Sequence, residues 1–310
     1  IVSNTFGANK AQTNQAMTDA TSPPINWRDH FYTSQDGLRL FARDYGDRLS
    51  RETPVICLPG LTRNSKDFDA LANHLASTRR VICPDLRGRG RSQYCDNWTD
   101  YTPQAEMLDV FDLMASLGIR HAIFIGTSRG GIITMLITAQ RPNVVRGTIL
   151  NDIGPEAEVE GLRRIATYAG VMEAPPSWTE AAFKLRLMNE REFPTLTGDD
   201  WYAHARRTFA EEAGAPKTDY DPKIGIALRK GLDVANGVLP DMWPQFKALS
   251  HVPVLVLRGE NSDILHTDTV ARMMKTHPDI TTLTVRDRGH VPFLDEPEAL
   301  AGIDAFLARC

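Results

Sequence analysis

Apolar runs of strand length alternate along this chain with stretches of helix length, and that alternation leaves few folds open. Residues 30–33, 38–44, 54–58, 80–84, 121–126 and 145–150 read as strands, with helical stretches at 65–75, 103–117 and 130–140 between them. Strand, helix, strand in succession predicts a parallel sheet, because a parallel partner is reached only through a long crossover. The runs 81–83, 122–125 and 254–257 show no polar alternation, which suits central strands covered on both faces. Between residues 154 and 250 the pattern becomes helical, with Trp178, Phe183, Trp201, Tyr202 and Phe209 among charged residues and no strand expected. Strand and helix return at 254–257, 267–275, 281–285 and 297–308. The predicted fold class is α/β, with a mostly parallel central sheet and flanking helices built from residues 25–153 and 251–310. The all-helical insertion 154–250 is expected to form a cap over the C-terminal edge of the sheet, where open α/β sheets bind ligands.

Composition narrows the function class. Lys and Arg number 35 against 39 Asp and Glu, a formal charge of −4, so nothing asks for a nucleic acid or an anionic membrane as partner. No apolar run approaches the roughly 18–20 residues of a membrane span. Residues 1–24 are polar, without the basic and apolar regions of a secretory signal, and are expected to form a loose tail. Cys57, Cys83, Cys95 and Cys310 lack the spacing of a disulfide framework, so reduced thiols and a cytoplasmic location are expected.

Chemistry concentrates in three places. Gly126-Thr127-Ser128-Arg129-Gly130-Gly131 stands directly after one strand and directly before a helix. In that context G-x-S-x-G is a tight turn that exposes a serine oxygen above the sheet, and its glycines let the backbone pass close to strand and helix. Ser128 is thereby a candidate nucleophile. A serine hydroxyl needs a base and the base needs an orienting acid. His290, in the loop sequence Asp287-Arg288-Gly289-His290-Val291-Pro292 after the last strand, is the candidate base. For the acid, Asp263 in the loop after strand 254–257 is the first choice. Glu260 in the same loop and Asp152, at the end of strand 145–150, are its competitors.

The order Ser128, Asp263, His290, each after its own strand, resembles the α/β-hydrolase superfamily in its serine-nucleophile, esterase-like branch, from about Leu38 onwards. Two further segments fit. Leu58-Pro59-Gly60-Leu61-Thr62 matches the family's oxyanion-hole loop, with Pro59 in place of the usual His. The resemblance implies that the backbone N–H groups of Leu61 and Arg129 bind the oxyanion, a role that does not need the missing side chain. Asp85-Leu86-Arg87-Gly88-Arg89-Gly90-Arg91-Ser92 is similar to the family's D-x-R-G-x-G-x-S loop, which is structural there; no G-K-[ST] makes it a phosphate loop.

With Ser rather than Asp at position 128, the implied activity is hydrolysis of a small or medium carboxylic ester or lactone through an acyl-enzyme. No metal or organic cofactor is implied, and the remaining histidines, His204 and His266 included, show no metal-ligand spacing. Trp178, Trp201, Tyr202 and Trp243 are the candidate pocket residues. The family also contains C–C bond hydrolases of aromatic-ring degradation and small-molecule receptors, so these two readings stay open, as does assembly into a homo-oligomer.

Overall fold

In the computed structural model, residues 27–236 and 239–310 are described; the expected tail 1–24 lies outside them. The chain runs β1 (Trp27–Thr33), β2 (Arg39–Tyr45), β3 (Val55–Leu58), α1 (Asp69–Leu75), β4 (Val81–Asp85), α2 (Pro103–Leu117), β5 (Ala122–Thr127), α3 (Arg129–Gln140) and β6 (Val145–Asn151). An inserted segment follows, with α4 (Val159–Tyr168), α5 (Trp178–Asn189), α6 (Gly198–Thr208), β7 (Phe209–Glu212), β8 (Ala215–Thr218), α7 (Lys223–Ala235) and α8 (Trp243–Lys247). The chain then closes with β9 (Val254–Gly259), α9 (Thr267–Thr276), β10 (Ile280–Val285) and α10 (Pro297–Leu307).

Eight strands form one sheet in the order β1-β2-β4-β3-β5-β6-β9-β10. Only β2 runs against its neighbours; the pairs from β4 to β10 are parallel. Every residue of β3, β4 and β5 is buried, as their unbroken apolar runs require. Because side chains alternate along a strand, β3 feeds both faces. Ile56 and Leu58 join Val110 of α2, Ile133 of α3 and Phe246 of α8 on one side. Val55 and Cys57 join Leu71 of α1 and Phe306 of α10 on the other. Local signals set the helix ends. The Thr102 side chain accepts the Ala105 N–H and Pro103 opens α2, while Gly118, at φ 67°, closes it in the left-handed conformation.

The insertion departs from expectation in one respect. It is not all-helical, because β7 and β8 form an antiparallel hairpin. Its two-residue turn places Ala213 and Gly214 at positive φ, the geometry that suits the twist of a hairpin. Strands of four residues, reading Phe-Ala-Glu-Glu and Ala-Pro-Lys-Thr, carry almost no β-branched signal. The segment has a core of its own, where Ala181, Leu185, Phe193, Trp201, Ala205 and Phe209 pack together.

The start of α3 crosses the end of β3 at very short range. A Cβ added to Gly130 would lie 2.1 Å from the Leu58 carbonyl oxygen and 2.6 Å from its carbon. Backbone in the middle of a sheet does not yield as a side chain does, so Gly130→Ala is expected to cost about 3 kcal/mol of stability, measured by urea unfolding.

Candidate active site

The turn between β5 and α3 holds Ser128 at φ 49°, ψ −111°, outside the regions an L-residue adopts without strain. The flanking glycines permit the crossing: a Cβ on Gly126 would lie 2.6 Å from the Gly130 backbone. The turn is anchored at both of its backbone groups. The Ser128 N–H donates to the Asn151 carbonyl at 3.0 Å, and the Ser128 carbonyl accepts from Gly131 N–H at 2.9 Å.

Ser128, His290 and Asp152 are brought together. His290 Nε2 lies 2.8 Å from Ser128 Oγ, and His290 Nδ1 lies 2.7 Å from Asp152 Oδ2. An ionised carboxylate only accepts, so Nδ1 carries the proton and Nε2 is left to accept from the serine hydroxyl. Asp152 is fully buried and its oxygens are well supplied with donors. Oδ1 accepts the Gly259 N–H at 2.9 Å, and Oδ2 accepts the Ser262 hydroxyl at 2.6 Å.

The first choice of acid from sequence is therefore corrected: Asp263 is not the partner of His290. It is turned to α4, where Arg164 Nε and Nη2 donate to its two oxygens at 2.6 and 2.9 Å. Burial works against its ionisation, but the hydrogen bonds and charge of Arg164 win and hold its carboxyl below the ordinary value. The backbone is close too, since a Cβ on Gly161 of α4 would lie 2.4 Å from the Asp263 carbonyl oxygen. Glu260 points elsewhere and accepts the Asp287 N–H at 3.1 Å. Asn151 is the residue that sequence reasoning missed. Its side-chain NH₂ donates to Thr127 Oγ1 at 3.1 Å and to the Pro292 carbonyl at 3.0 Å, so one amide ties the serine turn to the histidine loop. The available signal was a polar pair, Asn151-Asp152, closing an apolar strand.

The loop 59–62 and the first turn of α3 both border Ser128. Leu61 is pinned on either side of its own N–H, because the Gly60 carbonyl accepts the Arg63 N–H at 3.2 Å and the Leu61 carbonyl accepts Arg89 Nε at 2.8 Å. Among the described residues, neither the Leu61 N–H nor the Arg129 N–H has a protein acceptor. A buried ion network joins these two positions from behind. Arg129 Nε donates to Glu106 Oε2 at 2.6 Å, and Arg89 Nη1 stands 2.7 Å from Glu106 Oε1. Arg89 and Glu106 are both fully buried. Burial disfavours the charge on Glu106, yet Arg129 and Arg89 together keep its carboxyl below the ordinary value. The neighbouring loop is likewise braced: Asp85 accepts the Ser65 and Arg91 N–H groups, each at 2.8 Å, and Arg87 pairs with Asp36 and Asp109.

Ser128 and His290 open on a cavity of about 150 Å³ between the sheet and the insertion. Of the four aromatic candidates, Trp201 lines it. Trp178 instead donates to the Gly214 carbonyl at 3.1 Å beneath the Arg206 guanidinium. Tyr202 is exposed on the outer face of α6, and Trp243 donates to Glu156 at 2.7 Å. Helical periodicity explains the split, since Trp201 and Tyr202 are adjacent and must face different ways. Among the described residues no cluster of three or more His, Cys, Asp or Glu is arranged to hold a metal, and no helix is long and apolar enough to cross a membrane. All four cysteines are free.

Sheet order, serine turn and histidine loop define an α/β hydrolase, and comparison with known proteins agrees. The model of the alpha/beta hydrolase family matches residues 55–303, and the chain belongs to that family. A crystal structure of an alpha/beta hydrolase from Novosphingobium aromaticivorans shares 41% identity and a TM-score of 0.85, over 92% of this chain and 99% of that one. The 3-hydroxybutyrate-oligomer hydrolase of Cupriavidus necator is 30% identical over 269 residues, 85% of this chain and 90% of its own. The sn-1-specific diacylglycerol lipase ABHD11 of Mus musculus is 24% identical over 260 residues, 82% of this chain and 80% of its own. The class is that of ester-acting α/β hydrolases.

Two measurements test the geometry. Asp152→Asn is expected to slow labelling of Ser128 by a fluorophosphonate by about 10⁴-fold, through loss of the useful tautomer, while Asp263→Asn leaves the rate within a few-fold. Glu106→Ala strands two arginine charges and is expected to lower the unfolding free energy by about 3–5 kcal/mol, read by chemical denaturation.

Proposed function

We propose that this chain hydrolyses short-chain carboxylic esters or lactones through an acyl-enzyme on Ser128. Ser128 Oγ attacks the ester carbonyl carbon while its proton passes to His290 Nε2. Asp152 stays ionised and holds the imidazolium that forms. The Leu61 and Arg129 N–H groups take the charge developing on the carbonyl oxygen. As the tetrahedral intermediate collapses, the carbon–oxygen bond to the alcohol breaks and His290 returns its proton to the leaving oxygen. Water then repeats the sequence: it gives a proton to His290, its oxygen attacks the acyl carbon, and Ser128 leaves with the proton restored.

The observation that carries this reading is the hydrogen-bonded chain from Asp152 through His290 to Ser128, at 2.7 and 2.8 Å, opening on a cavity beneath the insertion. Names among the relatives, an oligomer hydrolase and a lipase, support ester chemistry. The insertion 154–250 is read as a cap whose helices close the cavity. About 150 Å³ is the size of an apolar cavity that takes one benzene, which favours acyl groups of roughly six heavy atoms.

Initial rates on p-nitrophenyl esters from acetate to dodecanoate test it. The expected profile peaks at acyl chains of about four to six carbons, and Ser128→Ala lowers the rate by about 10⁴-fold or more. Turnover of a vinylogous diketone without ester turnover moves the reading to C–C bond hydrolysis. Tight ligand binding with negligible turnover that survives Ser128→Ala moves it to a receptor.

A further inference from the structure

The root of the β7–β8 hairpin stands against the loop that carries Leu61, and one lysine joins the two. Phe209 opens β7 and pairs with Thr218, the last residue of β8, so the Phe209 carbonyl and the next residue, Asp219, leave the hairpin side by side. Lys66 Nζ reaches both, donating to the Phe209 carbonyl at 2.6 Å and lying 2.8 Å from Asp219 Oδ2. The same Oδ2 accepts from Asn64 Nδ2 at 2.8 Å. Asn64 is buried and its Oδ1 is used as well, accepting the Lys66 N–H at 3.1 Å. One carboxylate of the insertion thereby holds residues 64 and 66, directly after the turn in which the Gly60 carbonyl accepts the Arg63 N–H.

The backbone of Asp219 reaches the same target by a second route. Its carbonyl accepts the Gly90 N–H at 2.9 Å, and the Asp221 N–H donates to the Gly88 carbonyl at 2.8 Å. Residues 219–221 therefore run antiparallel beside 88–90, with Tyr220 bridged to Arg89. Arg89 lies between these two hydrogen bonds, and its Nε holds the Leu61 carbonyl at 2.8 Å. Leu61 is thus held at its carbonyl through Arg89 and from the chain after it through Asn64 and Lys66, and both routes end on residue 219. The side chains of Lys66 and Asp219 are only 20% and 12% exposed, so these hydrogen bonds are stronger than they would be in open water.

We infer that Asp219 is a positioning residue for the oxyanion hole: by holding Asn64, Lys66 and Gly90 it sets the Leu61 N–H in place, so that the hairpin root of the insertion takes part in acyl transfer. The inference rests on the ester-hydrolase reading and deepens it. An oxyanion donor acts on the transition state and only over a narrow range of distance; a shift of about an ångström costs on the order of 100-fold in rate. An element that merely walls the pocket acts on bound substrate and transition state alike and shows in KM.

The test measures kcat and KM on p-nitrophenyl butanoate, per site titrated with a fluorophosphonate. It adds the Ki of butylboronic acid, whose tetrahedral adduct on Ser128 Oγ puts an oxygen where the oxyanion forms, read as protection against labelling so that it stands without turnover. Asp219→Ala is expected to lower kcat by about 10-fold to 100-fold and to raise the boronate Ki by a similar factor, with KM nearly unchanged. Asp219→Asn, whose amide oxygen can replace Oδ2 for both donors, is expected to bring kcat back to within about threefold of wild type. Lys66→Met breaks the linkage from the sheet side and is expected to lower kcat in the same way, which keeps the test open if Asp219→Ala does not fold. The double variant is expected to lose less than the product of the two single losses. The inference is overturned by a wild-type kcat and boronate Ki in Asp219→Ala and Lys66→Met. It is overturned equally by a loss confined to KM or to the fraction of titratable sites, which a fastening of the fold alone would give. Wild-type protein that neither labels nor turns over the ester strikes instead at the ester-hydrolase reading beneath it.

Discussion

The pairing of β5 with β6 is the constraint on which the site depends. Their register sets Thr127 opposite Asn151 as the last paired residues, so the next residue on each strand, Ser128 and Asp152, emerges at the same level of the sheet. Both then leave ordinary backbone geometry at once, at φ 49° and φ 54°. Asn151 makes the junction rigid, its carbonyl holding the Ser128 N–H and its amide holding Thr127 and Pro292. His290, from the far end of the chain, thus meets two side chains whose separation is fixed by strand pairing.

Behind the site the same logic is carried by charge. Two arginines share one carboxylate in a fully buried position, an arrangement whose desolvation cost rivals its Coulomb gain. Its evident return is geometric. Arg129 follows the serine and Arg89 holds the Leu61 carbonyl, so Glu106 links the two backbone N–H groups that flank Ser128 although they lie on different crossovers.

Much of this was legible in the residues. The unbroken apolar strands, the alternation with helices and the glycines around Ser128 each express a local rule that no distant contact overrides. The acid was not legible, because β6 and β9 are neighbours, with Asn151 opposite Leu257. Carboxylates just past either strand therefore come within range of the same imidazole. The choice between them turns on Arg164, a residue 99 positions before Asp263 on an inserted helix, and on Ser262, which fills the place beside Asp152 with a donor. The hairpin of β7 and β8 was hidden for the opposite reason, being too short and too polar to leave a period. For the aromatic residues, composition marked candidates, but only the facing of each helix sorts Trp201 from Tyr202.

The ion pair between Arg164 and Asp263 fastens the first helix of the insertion to the loop after β9, and that loop also supplies Ser262 and lies beside the Gly259 N–H that supports Asp152. The hydrogen-bonded chain through His290 and the attachment of the insertion consequently share a scaffold but no common carboxylate. Asp263 spends both oxygens on Arg164, while Asp152 receives His290 together with the Gly259 N–H and the Ser262 hydroxyl. A substitution that loosens α4 from this loop therefore acts first on a carboxylate that makes no hydrogen bond to the imidazole.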